Sequence, residues 1–586
     1  MRRRPHGRSR PVPVIGAGVL LAALLVPAGS AQAGPAGVAS PTFTRAAAFD
    51  VTRPLREMVP HATSSPPSSA ATQTVIEVRP DRGPAVTGNG HQADGAIQAG
   101  VVAAGAAAKA PPAGPTSFEG LSNQDNFNVI GARVNPPDPI GDVGPNHYVE
   151  MINLVFGVYA KTGALLVGPA SLGSLWAGFP IDECTDNSGD PVVVYDQLAD
   201  RWILTQFTSR GLDFPDEPLN LFYNCVAISA TGDPTGAYFR YAFTTGFNFP
   251  DYPKYGVWDD TYVVTTREFG VADASVYAIG VYGLERAKMI AGDPNARAVS
   301  FLLQDGRVPI NLIGDGLLPA DIDGTNLPKT NSATPIIGTQ DDGGPYGATF
   351  DALNVWEFDV RWDATPFASI GLRTQLPVAA FDSIFPCAPT SRDCLPQPGI
   401  TDPNQFLDIL SYRQRPTWRL AYRNTGGFET MVTNQSVEAR PAVAGVRWYE
   451  IRRDKHGTYS LRQQGTYAPG DGVHRWMGSI AMDRTGNAAL GYSVVNGTDV
   501  FPGIRYTGRR SGDPPGQMTL AETTIVNGTG VQTSANSRWG DYTSMNVDPV
   551  DDCTFWYINE YYTAAGQASS PAGWQTRIAS FRLPGC

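Results

Sequence analysis

The sequence lacks the motifs that mark the common enzyme classes. It contains no G-x-S-x-G elbow, P-loop, dinucleotide-binding fingerprint or H-E-x-x-H pair, which argues against the enzymes that depend on those motifs. Only six histidines occur, no C-x-x-C pair is present, and no cysteine has a histidine at ligand spacing. These absences argue against a zinc site.

Positive charge is also scarce. The chain has 44 Lys and Arg residues against 55 Asp and Glu residues, which gives a net charge of −11. Removing the five arginines of residues 1–33 takes this value to −16. Because nucleic acids and anionic membranes require clustered Lys and Arg, the composition argues against both as partners, and a neutral or cationic partner fits better.

Residues 1–33 have the layout of a secretory signal peptide. Five arginines precede an apolar run at 12–27, and the Ala-Gln-Ala sequence at 31–33 offers a small-residue cleavage site. No later apolar run is long enough to span a membrane. We therefore expect a soluble monomer that is secreted by the general route.

The cysteine count indicates disulfides. An even number of cysteines in an exported chain is typical of a disulfide framework rather than of catalytic thiols. Among the possible connectivities we favour pairing in sequence order, which joins Cys184 to Cys225, Cys387 to Cys394, and Cys553 to Cys586. The last bond would hold the final strand in its own sheet and would stabilise the fold by roughly 3 to 4 kcal/mol.

Residues 34–115 are rich in Ala, Gly, Pro, Ser and Thr. So few large apolar side chains cannot offset the chain entropy lost on folding, so this segment is predicted to be a flexible leader or propeptide. One short strand is expected at 74–78. An alanine-rich helix at 103–110 is the less favoured alternative, because Gly105 interrupts it and Pro111 ends it.

From residue 116 to residue 586 the sequence predicts an all-β domain. Short aromatic and β-branched runs alternate with Gly, Pro, Asp and Asn, and no amphipathic segment of helical period stands out. A strand, turn and strand pattern recurs from starts at 138, 190, 251, 321, 419, 477 and 541. Each interval has room for a four-stranded sheet, which predicts a β-propeller of seven blades. Six or eight blades, or a large β-sandwich, are the alternatives.

Several whole phrases carry a resemblance. GPNHYV (144–149), DPVVVY (190–195), FPDYPK (249–254), RWMGSIAMD (475–483) and RWGDY (538–542) resemble a group of uncharacterised exported bacterial β-propeller proteins over roughly residues 120–586. This resemblance implies a fold and a secreted location, and it implies no reaction. A weaker similarity is to sialidase-like, glycan-active propellers, although the Asp-box pattern of that group is absent.

The repeated carboxylates have two interpretations. If the repeats align, Asp138, Asp190, Asp251 and Asp541 begin the innermost strands at one rim of a central channel. A functional role would be a general acid and base flanking a glycosidic bond. A structural role would be to accept hydrogen bonds from backbone amides of the neighbouring blade, and repetition in several blades favours it. Asp251 is the best catalytic candidate because Lys254 follows it across the rigid Pro253.

His147 is the only histidine in a clear repeat copy. A single imidazole could act as the base of a lyase or hydrolase. Its position after Gly-Pro-Asn favours instead a hydrogen-bonded turn residue.

Three arginines of the later repeats, Arg423, Arg475 and Arg538, could together bind a carboxylate such as that of a sialic or uronic acid. Stacking on the adjacent tryptophans, or a surface ion pair for Arg423, is the alternative. Tyr542 and Glu560 would form a sialidase-like nucleophile only if they meet in space.

A cation is the only cofactor that the sequence suggests. Carboxylate oxygens suit calcium, and Asp138 and Asp142 are the candidate ligands.

Two functions of different class remain open. The first, slightly favoured, is a secreted propeller that binds an extracellular glycan or a surface protein through the channel face. The second is a polysaccharide hydrolase or lyase that uses the channel carboxylates and arginines. Fold alone does not decide between them.

Overall fold

The structure is a computed structural model. It describes residues 40–59, 75–77, 92–98, 116–213, 220–271, 273, 276–386, 393–409 and 414–586. Residues 35–586 form one compact body. The predicted signal peptide and the alternative helix at 103–110 lie outside the described residues.

The protein is all-β. Five strands precede the repeats: β1 (Thr42–Arg45), β2 (Ala48–Val51), β3 (Val75–Glu77), β4 (Ser117–Ser122) and β5 (Arg133–Asn135). They are followed by strands that pair in chain order as antiparallel units, each unit beginning with the strand that we call its first strand.

Unit 1 is β6 (Ile140–Val143), β7 (His147–Ile152), β8 (Val155–Ala160) and β9 (Leu165–Ser171). Unit 2 is β10 (Val192–Asp196), β11 (Arg201–Phe207), β12 (Phe222–Ser229) and β13 (Tyr238–Gly246). Unit 3 is β14 (Asn248–Val257), β15 (Thr261–Gly270), β16 (Tyr277–Glu285) and β17 (Arg297–Gln304). Unit 4 is β18 (Leu318–Ile322), β19 (Thr334–Gln340), β20 (Ala352–Arg361) and β21 (Phe367–Pro377). A separate two-stranded sheet follows, β22 (Asp393–Leu395) with β23 (Leu407–Asp408).

Unit 5 is β24 (Thr417–Asn424), β25 (Glu429–Arg440), β26 (Val443–Arg453) and β27 (Tyr459–Tyr467). Unit 6 is β28 (His474–Met482), β29 (Ala488–Val495), β30 (Gly503–Arg509) and β31 (Thr523–Val526). Unit 7 contains β32 (Ser544–Val547), β33 (Thr554–Tyr562) and β34 (Trp574–Arg582), with β4 as its fourth strand.

Helices are short. They are α1 (Leu55–Met58), α2 (Asn123–Ile130), α3 (Arg210–Asp213), α4 (Arg286–Ile290), α5 (Ile310–Ile313) and α6 (Ala564–Ser569), with 3-10 turns at Leu172–Trp176, Asp182–Thr185 and Pro403–Gln405. No helix within the described ranges is long and apolar enough to cross a membrane.

The first strands form a closed ring. Each contacts the next in the order β6, β10, β14, β18, β24, β28, β32, and β32 contacts β6. Units 4 and 5 are joined more closely than the others, because β18 pairs in parallel with β24 and places Ala320 opposite Leu420. Residues at or just before the starts of the first strands of units 1, 2, 3, 4, 5 and 7 contact one another at one end of the ring, which we call the rim.

Unit 7 is completed by a strand from far earlier in the chain. β4 pairs antiparallel with β34, and Phe118 lies opposite Ile578. The disulfide Cys553–Cys586 links the start of β33 to the residues after β34, with 5.6 Å between the Cα atoms. Unit 7 is therefore held both by β4 and by the bond that the cysteine spacing predicts.

A second disulfide ties unit 2 to the loop before it. Cys184 and Cys225 are bonded with their Cα atoms 5.9 Å apart, which is the pairing expected from sequence order. The third predicted pair includes Cys387, which lies outside the described residues.

The leader contributes more structure than its composition indicates. β1 pairs with the outer strand β17 of unit 3, and β2 pairs with the outer strand β13 of unit 2. β3, which falls within the strand predicted at 74–78, pairs in parallel with β5. The first two pairings cover sheet edges that would otherwise present unpaired backbone groups, whereas β3 and β5 form a separate two-stranded sheet.

Residues 92–98 of the leader are anchored to units 5 and 6. The Asp94 carboxylate accepts hydrogen bonds from Arg447 Nη2 at 2.8 Å and from Thr466 Oγ1 at 2.7 Å. The Gln98 amide donates to the carbonyl of Met518 at 2.9 Å and accepts from the Met518 amide at the same distance. We call residues 92–98 the strap.

The core lies within and between the units and is rich in large aromatic side chains. Nine tryptophans are among the largest fully buried side chains: Trp176, Trp202, Trp258, Trp356, Trp418, Trp448, Trp476, Trp539 and Trp574. Each aromatic side chain buries about 150–250 Å². The aromatic runs that predicted strands therefore also supply the packing between units.

Candidate functional site

A cluster of buried charges lies at the rim. Its members, the rim cluster, are Asp138, Asp190, Asp251, Tyr252, Lys254, Arg267, Asp315, Arg415, Arg538, Asp541 and Tyr542. They come from the starts of the first strands of units 1, 2 and 3, from β15, and from the loops before units 4, 5 and 7. The structure thus brings together four of the repeated carboxylates that the sequence singled out.

Three residues of the rim cluster have unusual backbone angles. Asp138, Asp190 and Tyr252 have φ values of 46°, 40° and 53°, in the left-handed region. Aspartate tolerates this region, whereas a tyrosine there is uncommon. In unit 3 a bulge between Asp251 and Lys254 adds to the local bend. Bulges re-aim side chains, so Lys254 turns toward the same cluster as its neighbours.

Two rim carboxylates bind backbone amides of other units. Asp138 Oδ1 accepts from the Asp541 amide at 2.7 Å, and Asp190 Oδ2 accepts from the Tyr252 amide at 3.2 Å. Each bond joins the start of one unit to the start of another. This geometry corresponds to the structural interpretation of Asp138 and Asp190, because an unmet buried amide is costly.

Lys254 is buried against two aromatic rings. Its Nζ lies 3.4 Å from the Tyr252 ring centroid and 4.0 Å from that of Tyr542, and it donates to the Pro253 carbonyl at 2.9 Å. No carboxylate of the described residues lies within ion-pair distance of this ammonium. Lys254 is therefore stabilised by ring faces and one carbonyl rather than by a direct salt bridge.

Arginines hold the remaining rim carboxylates. Arg267 lies 3.5 Å from Asp251 and 3.2 Å from Asp315. Asp541 lies 2.8 Å from Arg538 and 3.3 Å from Arg415. The carboxylates of Asp251 and Asp541 thus each lie beside guanidinium groups.

Burial shifts the pKa values of three groups in the rim cluster in the direction that favours their neutral forms. It lowers the pKa of the Lys254 ammonium to about 7. Burial, with the nearby Asp541 carboxylate, raises the pKa of Asp138 to about 7. Burial and the charge of Asp251 raise the pKa of Asp190 well above its ordinary value. Groups with pKa values near the working pH can transfer protons efficiently.

The rim cluster also contains donors that have no acceptor. Arg415 Nη1 and the Tyr252 hydroxyl are buried without a hydrogen-bond partner, and the Arg415 guanidinium carbon lies 3.5 Å from the Tyr252 ring centroid. Next to them, the side chains of Asp251 and Asp541 are 16% and 15% exposed. Buried donors normally have partners, so this side of the cluster has unused capacity for hydrogen bonding.

Tyr542 and Glu560 do not form a pair. The Tyr542 hydroxyl donates to the Pro191 carbonyl at 3.2 Å, whereas Glu560 Oε1 accepts from the Gly540 amide at 2.5 Å. No hydrogen bond joins the two side chains within the part of the chain that the structure describes. Burial raises the pKa of Glu560 well above its ordinary value, which favours a neutral carboxyl.

The three late arginines occupy three separate sites. Arg423 binds both carboxylate oxygens of Asp552 at 2.7 Å. Arg475 pairs with Asp471 at 2.8 Å and with Glu522 at 2.7 Å. Only Arg538 belongs to the rim cluster, so the structure does not bring the three together to bind one carboxylate.

His147 also lies apart from the rim cluster. It begins β7, and the charges that act on it are those of Asp233 and Lys161. Burial lowers its pKa. His147 is thus the first residue of the strand after the Gly-Pro-Asn turn rather than a residue of the turn itself.

The candidate calcium ligands have different partners. Asp138 binds the Asp541 amide and Asn153 Nδ2, whereas Asp142 Oδ2 accepts from the Tyr195 amide at 2.7 Å. Within the described ranges, the group of three acidic residues with oxygens close enough to hold a metal is Asp341, Asp342 and Asp351. Ser383 and backbone amides already donate to Asp341 and Asp351.

Four members of the rim cluster were missed in the sequence: Tyr252, Arg267, Asp315 and Arg415. Tyr252 adjoins Asp251 within the FPDYPK phrase, so its aromatic ring next to Lys254 was a usable signal. Arg267 lies opposite Asp251 on the next strand, which strand register would have shown. Asp315 and Arg415 precede the two faintest repeats, where no local pattern marked them.

No family model matches the chain, and no curated protein matches it by sequence.

Solved structures that resemble it are glycan-active enzymes. A PL25 ulvan lyase is 10% identical with a TM-score of 0.31, covering 76% of this chain and 91% of its own. A GH43 β-1,3-galactosidase with galactodeoxynojirimycin is 10% identical with a TM-score of 0.27, covering 60% and 97%. The sialidase of Trypanosoma rangeli with the inhibitor DANA is 9% identical with a TM-score of 0.29, covering 67% and 54%. A likeness this weak identifies neither an activity nor a ligand.

Proposed function

We propose that the protein is an exported seven-bladed β-propeller that binds an extracellular glycan at the rim of its central ring. Units 1 to 7 are the blades in this proposal, and their first strands line the channel. Two disulfides suit an oxidising compartment outside the cytoplasm.

The unpartnered donors beside partly exposed acceptors support this proposal most directly. Arg415 Nη1 and the Tyr252 hydroxyl need acceptors, and the carboxylates of Asp251 and Asp541 can accept from a ligand. Sugar hydroxyls both donate and accept hydrogen bonds, so a glycan chain can satisfy this mixture of groups. A carboxylate on the sugar would also suit the Arg415 guanidinium.

A second candidate function is acid and base chemistry on a bound polysaccharide. Its specific support is the pair Lys254 and Asp138, whose pKa values both lie near 7. Lys254 would remove a proton as the neutral amine, as in a lyase. Asp138 is already engaged by the Asp541 amide, so binding without turnover is the better supported function.

Calorimetric titration of the full chain tests the proposal. The probes are a galacturonate trisaccharide and a neutral xylose trisaccharide. We expect saturable binding of at least one, weakened about tenfold or more in Asp251→Asn because charged hydrogen bonds contribute about 1.5–3 kcal/mol. Asp363→Asn, at an exposed carboxylate of the loop after β20, is the matched control and should bind like the wild type. Equal binding by the two variants would contradict the site.

Turnover is measured in the same samples. New reducing ends or unsaturated products would establish the second function, and Lys254→Met should then abolish turnover while binding persists. Saturable binding with no product over extended incubation supports the first function.

A further inference from the structure

A separate cavity lies between units 5 and 6. It measures about 290 Å³ and is lined by β26 and β27 of unit 5, by β30, and by the turn that follows β28. It lies at the ends of the first strands β24 and β28, whereas the residues of the rim cluster lie near the starts of first strands. We call it the arginine pocket.

The arginine pocket concentrates positive charge in an acidic protein. Four arginines line it, Arg452, Arg462, Arg484 and Arg509, against two carboxylates, Glu450 and Asp513. The whole chain carries a net charge of −11. A local excess of cations in such a chain attracts anions.

Arg509 is the central feature of the pocket. Its side chain is 97% buried, with 3% exposed, and it donates only to carbonyl groups: Nε to Gln517 at 3.1 Å, and Nη2 to Asp513 at 2.7 Å and Pro514 at 3.2 Å. No carboxylate of the described residues pairs with it. A buried guanidinium without a counter-charge is costly, so an anion bound here would be strongly stabilised.

Arg462 adds a second unpaired cation. It is exposed and forms no ion pair or side-chain hydrogen bond with any described residue. Burial lowers the pKa of Arg509, the carboxylates of Glu450 and Asp513 act in the opposite direction, and the like charge of Arg462 adds to the lowering. Arg462 and Arg509 therefore lie within electrostatic range of each other. Two cations that face one cavity are favourable when an anion lies between them.

The carboxylates of the pocket are already engaged. Glu450 Oε1 accepts from Arg452 Nε at 2.9 Å, and Glu450 Oε2 accepts from Gln463 Nε2. Asp513 accepts from the amide of Arg510 at 2.8 Å and from the Thr519 hydroxyl. Neither carboxylate therefore neutralises Arg509 or Arg462 directly.

The geometry points to a binding site for the oxyanion of an acidic sugar. We propose that Arg509 and Arg462 together bind a carboxylate or sulfate group carried on a sugar ring. Guanidinium forks match both groups by paired hydrogen bonds. The Phe428 ring, held 3.8 Å from the Arg452 guanidinium carbon, offers an apolar wall for the ring.

The size of the pocket limits the occupant. Ligand cavities usually measure about 300–1,000 Å³, so 290 Å³ suits one sugar unit with its anionic group. The site does not depend on the proposed function of the rim cluster, since it shares no residue with that cluster.

The test uses calorimetric titration of the full chain with a galacturonate trisaccharide, a sulfated heparin disaccharide and a neutral xylose trisaccharide. We expect one or both anionic sugars to bind and the neutral sugar not to occupy this site. Preference between the two anionic probes identifies the carboxylate or the sulfate as the ligand group. Arg462→Gln should weaken that binding about tenfold or more, which is the scale of one charge-assisted hydrogen bond.

Three variants distinguish binding in the arginine pocket from general electrostatic attraction of anions to the protein surface. Arg361→Gln removes an exposed arginine of unit 4, 56% exposed, and should leave affinity within twofold. Arg509→Lys keeps the charge but loses the fork, and should weaken binding while the far-ultraviolet circular dichroism stays native. Asp251→Asn at the rim should leave unchanged the binding event that Arg462→Gln weakens, so failure at one site is distinguishable from failure at the other.

Three outcomes would overturn the proposal. The first is that neither anionic sugar binds at millimolar concentration. The second is equal weakening by Arg462→Gln and Arg361→Gln, which would show unspecific attraction by net charge. The third is that Asp251→Asn removes all binding of the anionic sugars and Arg462→Gln weakens none of it.

Discussion

The carboxylate of Asp138 accepts a hydrogen bond from the backbone amide of Asp541 at 2.7 Å, across 403 residues of sequence. This bond joins unit 1 to unit 7 at the rim, where the ring of first strands closes. It gives a repeated aspartate a definite role that does not depend on any ligand.

Asp138→Ala should lower the free energy of unfolding. The substitution leaves the buried Asp541 amide without its acceptor, which costs about 1–3 kcal/mol. Urea unfolding followed by tryptophan fluorescence measures the change. Asp363→Ala, at an exposed position, should change stability by no more than about 0.5 kcal/mol. Equal stability of the two variants would show that the bond does not contribute to closure.

Glu150→Gln should change the dependence of stability on pH. Glu150 is fully buried beside Thr576 and the Leu121 amide, and burial raises its pKa to about 7. Thr576 Oγ1 donates to Glu150 Oε1 at 2.6 Å and the Leu121 amide donates to Glu150 Oε2 at 2.9 Å, and burial outweighs both of these bonds in its effect on the pKa. The neutral form is therefore the one that the surrounding structure accommodates.

The sign follows from proton binding. Between the ordinary pKa of a glutamate and about 7, the folded protein holds a proton at Glu150 that the unfolded chain has lost. This contribution is full at low pH and disappears as pH rises through about 7, with a slope of at most about 1.4 kcal/mol per pH unit for one proton. Glu150→Gln should remove that part of the slope, measured by urea unfolding at pH 5, 6 and 7. The exposed Glu57→Gln should keep the wild-type slope, and a parallel curve for Glu150→Gln would contradict the assignment.

Asp94→Ala should detach the strap. Arg447 and Asp94 are both fully buried, and removal of the carboxylate leaves the guanidinium without a counter-charge. Breaking a buried pair in this way costs about 3–5 kcal/mol. Limited proteolysis within the leader should become faster, and the urea midpoint should fall.

The double variant Asp94→Ala with Arg447→Leu is the control for that effect. It removes both charges, so it should recover part of the loss seen in Asp94→Ala alone. If the double variant lost as much free energy of unfolding as Asp94→Ala and Arg447→Leu lose in sum, the two residues would not be coupled.

The repeat pattern located the architecture well. The observed first strands begin at residues 140, 192, 248, 318, 417, 474 and 544, each within three residues of a predicted repeat start. The pattern was readable because an aspartate followed by alternating apolar residues is a local signal. The predicted starts at 251, 419 and 477 fall within bulges of their strands, which explains why strand pairing begins before them.

The strands and contacts of the leader, residues 34–115, could not be predicted from its composition. Strands β1 and β2 each pair along one side only, and such edge strands need few apolar residues. Asp94 gains its role from Arg447, which lies 353 residues away. A contact across that distance leaves no mark on the local sequence.

The candidate site was only partly predictable for the same reason. Asp251 and Lys254 were found because they lie three residues apart in one phrase. Whether Tyr542 meets Glu560, or Arg423 meets Arg538, depends on how the units pack, and sequence spacing does not encode it. The arginine pocket combines residues of two units and was missed entirely.

The pairing of β4 with β34 also determines when folding can be completed during synthesis of the chain. Residues 117–122 leave the ribosome long before 574–582, and contacts such as that from Thr576 Oγ1 to Leu121 span 455 residues. Until that late segment has been made, strand β4 has no partner strand, and unpaired strand edges promote aggregation. The chain must therefore be kept from self-association during its synthesis, and the closing step of folding comes only after nearly the whole polypeptide has been made.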